Sequence, residues 1–186
     1  MNSQRLQSNS ITNYLSKSSF SNLNIKYFEL TNNCQTIKKT YPSTEWIGAI
    51  CKEKCENGKV NEFSIRIDLT ERSYIYIGFA TTKNELFVGG DLGYNEAKFS
   101  WMCNLANGKF KNGGVNDLFF CDTSVMDSKP EVVFTICIDL KNDLIYLKRN
   151  GEDIGSRLKL QISNTQKNEL SPCIDILEQN DQISIV

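Results

Sequence analysis

The stretch Glu131–Gly155, EVVFTICIDLKNDLIYLKRNGEDIG, limits what this chain can fold into more than any other. Val132–Leu140 is β-branched and apolar, with one charge, Asp139, just before Lys141-Asn142-Asp143 breaks the run. Leu144–Lys148 resumes the extended pattern and leads into Asn150-Gly151. Asn-Gly readily supplies positive φ at both central positions of a type I′ turn, whose twist matches that of paired strands. Ile154-Gly155 then closes a short third strand. Three antiparallel strands joined by two tight turns predict an all-β domain.

The rest of the chain extends this pattern. Asn24–Leu30 and Thr36–Tyr41 read as strands split by Thr31-Asn32-Asn33, and Trp46–Cys51 as another. Lys52–Asn61 is a polar loop turning at Asn57-Gly58. Phe63, Ile65, Ile67 and Leu69 alternate with Ser64, Arg66 and Asp68, the pattern of a strand with one buried and one wet face. Tyr74–Ala80 is apolar on both faces, which predicts a central strand. After the Thr81–Asp91 loop come a strand at Phe99–Met102, turns at Asn107-Gly108 and Asn112-Gly113-Gly114, and a longer connection through Asp117–Pro130. Beyond the opening run, a loop through Asn164–Glu169 precedes closing strands at Ser171–Leu177 and Gln182–Val186. Roughly a dozen short strands at about 8–12-residue spacing, without a long amphipathic helix, predict a two-sheet sandwich or a barrel.

Met1–Asn22, rich in Ser, Asn and Gln, reads as a flexible or loosely docked tail ahead of a single domain over residues 23–186. Within it, Ile11–Leu15 admits either a docking strand or a helical turn.

Composition narrows the function. A length of 186 residues gives one domain room for a full core. A net charge of −1 supplies no field toward nucleic acid or acidic membranes. Histidine is absent, which excludes Ser–His and Cys–His nucleophilic sites within this chain and removes the commonest general base. There are seven cysteines, an odd number, and no Asn-x-Ser/Thr site. The N-terminus has no apolar signal core, and no run approaches the ~18 apolar residues of a membrane span. Together these predict a reducing, cytoplasmic setting with no membrane or nucleic-acid partner.

From Tyr74 onward the order of motifs resembles a SPRY domain. YIYIGFAT at Tyr74–Thr81, LGYNEAKFSW at Leu92–Trp101, NGKFKNGG at Asn107–Gly114, the opening stretch, and LSPCIDILEQNDQISIV at Leu170–Val186 follow the family's sequence of strands. Pro130-Glu131 replaces the usual Gly-Asp, and Ser171 stands where an aromatic usually precedes the proline. The resemblance implies an all-β, concanavalin-like bent sandwich of two antiparallel sheets. It implies a non-catalytic module without cofactor that binds a protein or peptide at rim loops, as a monomer or within a larger assembly.

The resemblance also implies a groove built from three loops, Cys51–Asn61, Thr81–Gly93 and Leu177–Asp181. The partner-binding candidates are then Lys54, Leu86, Phe87, Asp91, Tyr94, Glu178, Gln179 and Asn180. Loops on a rigid scaffold are where recognition lives, and aromatic residues are favoured anchors. Alternatively, Phe87 and Tyr94 only seal the sandwich edge. The tyrosine and tryptophan with which one adaptor branch reads Asn-rich peptides are missing, with Val88 and Glu178-Gln179-Asn180 in their places. Trp46 and Trp101 sit in strand patterns and are expected in the core.

Other chemistry is poorly served. Cys51-x-x-x-Cys55 is at most half a structural zinc site, and no histidine completes it. Cys173–Glu178 matches a Glu-h-Asp-h-x-Glu glycosidase strand (h apolar) except at the nucleophile, where cysteine stands. Two alternatives to a peptide-binding rim remain. One is a glycan-binding sandwich with aromatic and amide residues on a sheet face. The other is a structural subunit docked through its N-terminal tail.

Overall fold

The computed structural model describes residues 12–15, 18–21, 26–42, 46–68, 74–81, 99–112, 115–119 and 132–186. Its strands are β1 (Thr12–Tyr14), β2 (Phe28–Thr31), β3 (Thr36–Lys39), β4 (Ile47–Ile50), β5 (Val60–Ile67), β6 (Ile75–Thr81) and β7 (Ser100–Asn104). They continue with β8 (Lys109–Asn112), β9 (Val115–Phe119), β10 (Val133–Asp139), β11 (Leu144–Arg149), β12 (Glu152–Lys159), β13 (Leu170–Ile176) and β14 (Gln182–Ile185). One helical turn, α1 (Asn164–Lys167), lies between β12 and β13.

The strands form two sheets. The larger has the order β12-β11-β10-β5-β14-β3-β2, with β1 beside β5; the smaller runs β4-β13-β6-β7-β8-β9. All the pairs are antiparallel except β1 with β5. Period-2 alternation sends one face of each sheet inward. Phe63, Ile65 and Ile67 of β5 and Phe134, Ile136 and Ile138 of β10 meet Ile75, Ile77 and Phe79 of β6, Trp101 of β7 and Ile174 of β13 in one core. Trp101 is fully buried, and its indole Nε1 donates to the Gln161 carbonyl at 3.2 Å, tying the segment after β12 to the core. The opening stretch thus builds β10, β11 and the turn to β12, with Asn150 and Gly151 at φ 50° and 86°.

Five local expectations change. Val115–Phe119 forms β9 on β8, so the connection expected over Asp117–Pro130 does not begin at Asp117. The third strand of the opening stretch does not close at Gly155 but runs to Lys159. It is the sheet's edge, so it needs no apolar alternation. Between Leu147↔Ile154 and Ile145↔Leu158 it carries extra residues, with Gly155 at φ 68° accommodating the bulge. Strand β5 begins at Val60, inside the polar loop, because Val60 and Asn61 pair with Asp139 and Ile138. The Asn164–Glu169 loop contains α1, which Ser163 and Gln166 start with a capping box. Trp46 is only half-buried on the outer face of the smaller sheet, where its ring meets Tyr76 at 4.8 Å and Tyr74 at 6.5 Å. A tryptophan just ahead of an edge strand of four residues packs on neighbouring rings and not between the sheets.

The N-terminal segment joins both sheets. Of the two alternatives at Ile11–Leu15, the strand forms: Thr12–Tyr14 pairs with Val60–Glu62. Leu15 and Phe20 enter the core. Phe20 N–H donates to the Cys34 carbonyl at 2.7 Å, and Ser21 N–H to the Ile50 carbonyl at 2.9 Å.

Candidate functional site

Strand β13 sets the geometry of any rim site, because two of the candidate loops attach near its opposite ends. At its start Leu170 opposes Thr81, and the Leu170 carbonyl accepts from Cys55 N–H at 2.8 Å. Beyond its last residue, Ile176, Leu177 N–H donates to the Tyr74 carbonyl at 3.2 Å. Seven extended residues separate these points by about 20 Å. Lys54, next to Cys55, therefore lies at the Leu170 end, while Glu178, Gln179 and Asn180 lie at the Leu177 end. Among the described residues, Lys54 and Glu178–Asn180 are thus not brought together. The reason is chain direction: β4 runs against β13, so the Cys51–Asn61 loop that follows β4 lies at the opposite end of β13 from the turn that follows β13. Leu86, Phe87, Asp91 and Tyr94 lie outside the described residues.

The Leu170 end is occupied by the chain itself. Ser19 N–H donates to Glu53 Oε2 at 2.8 Å, and Lys52 N–H to the Ser19 carbonyl at 2.9 Å. Asn13 Nδ2 donates to Asn61 Oδ1 at 3.0 Å, and Asn61 in turn accepts from Glu56 N–H at 2.7 Å. The N-terminal segment thus straps the loop that carries Lys54, although Lys54 itself is exposed.

The Leu177 end is built differently. Lys39, fully buried at the end of β3, donates its ammonium to the Leu177 carbonyl. Its backbone N–H donates to the Asp181 carbonyl at 3.0 Å, and its carbonyl accepts from Asn180 N–H at 2.9 Å. Gln179 Nε2 reaches the Thr40 carbonyl at 3.2 Å. Asn180 adopts φ 71°, the left-handed region that asparagine tolerates in turns. One lysine therefore fixes the turn from three sides, while Glu178, Gln179 and Asn180 stay exposed.

Aromatic rings flank that turn. On the Thr40 side Tyr27 and Tyr41 pack edge to face at 5.3 Å; on the Tyr74 side lie Trp46, Tyr74 and Tyr76. Tyr41 and Tyr74 are 41% and 46% exposed, which leaves large apolar surface uncovered on both sides. Neither Lys39 nor these rings stand out as site residues in the sequence. The signal available was the density of Tyr and Trp at Tyr27, Tyr41, Trp46, Tyr74 and Tyr76, all at strand starts or ends that topology brings together.

Four buried thiols are unsuited to nucleophilic or ligand roles. Burial pushes Cys51, Cys55 and Cys173 well up, with the Glu53 charge adding at Cys51 and Asp175 at Cys173. Cys137 is pushed up to about 12, chiefly by burial and then by Glu62. They remain protonated, as structural buried cysteines do. Asp175 of the partial glycosidase pattern is buried within β13, while Glu178 lies exposed beyond the strand.

No protein-family profile and no curated protein sequence matches the chain. Solved structures do. The SPRY domain of human HERC1 superposes with a TM-score of 0.65 at 15% identity, covering 90% of this chain and 96% of that one. The TRIM65 PSpry domain gives 0.63 at 12% identity, over 94% and 93% of the two chains. Stonustoxin gives 0.63 at 10% identity, with 91% of this chain covering 28% of the toxin's. The chain is thus a β-sandwich of the SPRY fold, as the order of its motifs from Tyr74 onward implied. At these identities the likeness is one of architecture, so function has to be argued from the site.

Proposed function

We propose that this chain is a non-catalytic protein-interaction module that captures a peptide or loop of a partner at the Leu177 end of the sandwich. The observation that carries the reading is a rigid turn, Leu177–Asp181, held by Lys39 between two groups of partly exposed aromatic rings. Tyrosine and tryptophan supply large contact area at small entropic cost and dominate binding hot spots. The likeness to the HERC1 SPRY and TRIM65 PSpry domains supports the general class of interaction module. On this reading the module acts inside the cell as an adaptor or subunit, and Glu178, Gln179 and Asn180 give the aromatic anchors a polar border. Lys54, at the opposite end, belongs to a separate surface.

Affinity purification with the wild-type chain and with a Tyr41→Ala/Tyr74→Ala/Glu178→Ala variant tests it. Partners lost in the variant, with its melting temperature retained, are the expected result. An unchanged partner set removes this end from the site.

The glycan-binding alternative draws on one observation: Trp46, Tyr76 and Asn104 share the outer face of the smaller sheet. Asn104 is buried, however, and its Oδ1 is already taken by Ala106 N–H at 2.8 Å. A glycan array with specific hits, lost on Trp46→Ala, would favour that alternative over the peptide reading.

A further inference from the structure

The rings at the Leu177 end already attract cations of this chain. The Lys26 ammonium lies 5.1 Å from the Tyr27 ring centre, and the Lys111 ammonium lies 4.9 Å from that of Tyr76. Both contacts use the negative face of an aromatic ring, whose quadrupole favours a positive charge. Tyr74 is left nearly half exposed, with the Trp46 ring packed against its own at an interplanar angle of 81°. Beside it stands an acid. Leu177 is bonded to the Tyr74 carbonyl and Gln179 to the Thr40 carbonyl, so Glu178 is fixed between the two aromatic groups. Among the described residues its carboxylate is exposed and makes no ion pair. A partly exposed tyrosine close in the fold to an exposed carboxylate is complementary to a cationic group.

We infer that this end takes a lysine or arginine side chain of the partner, laid against the Trp46–Tyr74 pair with Glu178 as its counter-charge. The inference rests on the reading of this end as the binding rim and names the chemistry of the segment it receives. The buried Lys39 lends its charge to the turn carbonyl, so Glu178 remains the exposed charge of the turn itself. An acidic segment would meet Glu178 as a like charge, which disfavours it as a partner.

A random peptide library displayed on phage, selected on the full chain, separates the two levels of the argument. Clones are then titrated against wild type, Tyr74→Ala, Glu178→Lys and Tyr41→Ala. The inference expects clones sharing one fixed Arg or Lys position. It expects Tyr74→Ala to weaken them roughly two- to fivefold. Glu178→Lys should weaken them about tenfold at low salt and less at high salt. Clones lost on Tyr41→Ala or Tyr74→Ala but enriched in acidic or apolar residues would overturn the cationic partner and leave the rim reading standing. Clones indifferent to all three variants, or a library that yields none, would count against both. Because all three substitutions are at exposed positions, a thermal melt that matches wild type confirms that each loss is one of binding.

Discussion

The ammonium of the fully buried Lys39 donates to the main-chain carbonyl of Leu177, and the two lie 138 residues apart in the chain. The bond crosses from the larger sheet to the turn that leaves the smaller one, so it fixes the candidate rim to the body of the sandwich. A charged donor to a buried carbonyl contributes about 1.5–3 kcal/mol, and removing it also leaves the acceptor unpaired. Lys39→Met, of similar length, should therefore lower stability by about that amount. Hydrogen exchange at Asn180, whose N–H bonds to the Lys39 carbonyl at 2.9 Å, should accelerate more than exchange in β5 or β10. Uniform acceleration across the sheets would mean that Lys39 supports the whole fold and not the turn in particular.

Much of the architecture was legible because it follows from local pattern. The Asn150-Gly151 turn, the alternation of Phe63, Ile65 and Ile67, and the two-sided apolar run of β6 each specify their structure within a few residues. What escaped depends on contacts between distant segments. Strand β12 runs past Gly155 without a sequence signal, since an exposed edge strand carries no alternation to mark its length. The strand pattern places Trp46 in the core, but it precedes a strand too short to carry it there. The separation of Lys54 from Glu178 was implicit in the antiparallel order of β4, β13 and β6, yet it needs the pairing partners and not only the strand positions. A buried lysine under a turn leaves no sequence signature.

Gly78 sits in the middle of β6, and a Cβ built there would fall 2.1 Å from the Trp101 carbonyl oxygen and 2.7 Å from Met102 Cα. Both are backbone atoms of the neighbouring strand, so no side-chain rotation can relieve the clash. Overpacking a rigid interior costs about 1–3 kcal/mol and sometimes more. Gly78→Ala should destabilise at the upper end of that range or beyond, with loss of the β6–β7 pairing visible as fast amide exchange at Trp101–Asn104. Denaturant unfolding of this variant at wild-type midpoint would show that β6 and β7 can part without cost.

Asp68 gives the fold an acid-sensitive element. Burial works against its charge, but hydrogen bonds from Arg66, Gln182 and Ser184, with the Arg66 charge, outweigh it and hold the carboxyl below its ordinary 3.8. The bonds run at 2.8 Å from Arg66 Nε to Oδ1, and at 3.2 and 3.0 Å from Gln182 Nε2 and Ser184 Oγ to Oδ2. A carboxyl whose folded pKa lies below its unfolded one binds protons more readily when unfolded. Its contribution is therefore complete above the unfolded value and fades as pH falls through the folded one. Asp68→Asn should lose stability at neutral pH and lose less than wild type between about pH 5 and pH 2. Melting temperatures that fall in parallel across this window would place the acid sensitivity elsewhere.

The N-terminal segment offers the sharpest contrast between neighbouring residues. Phe20 is fully buried in the core and bridges to Cys51, whereas Tyr14, six residues earlier on the same strap, is 69% exposed. Removing a buried phenylalanine forfeits its transfer energy and leaves a cavity, together about 3–5 kcal/mol. Phe20→Ala should approach that loss, while Tyr14→Ala should stay within about 0.5 kcal/mol of wild type. The contrast also decides how to test whether the segment binds a partner. Deleting Met1–Asn22 would remove Phe20 and Leu15 from the core, so any loss of association would follow from destabilisation. Tyr14→Ala leaves the fold intact and alters only the strap's outer surface. Association that survives Tyr14→Ala but fails with Tyr41→Ala/Tyr74→Ala locates recognition at the Leu177 end, and the reverse result assigns it to the strap.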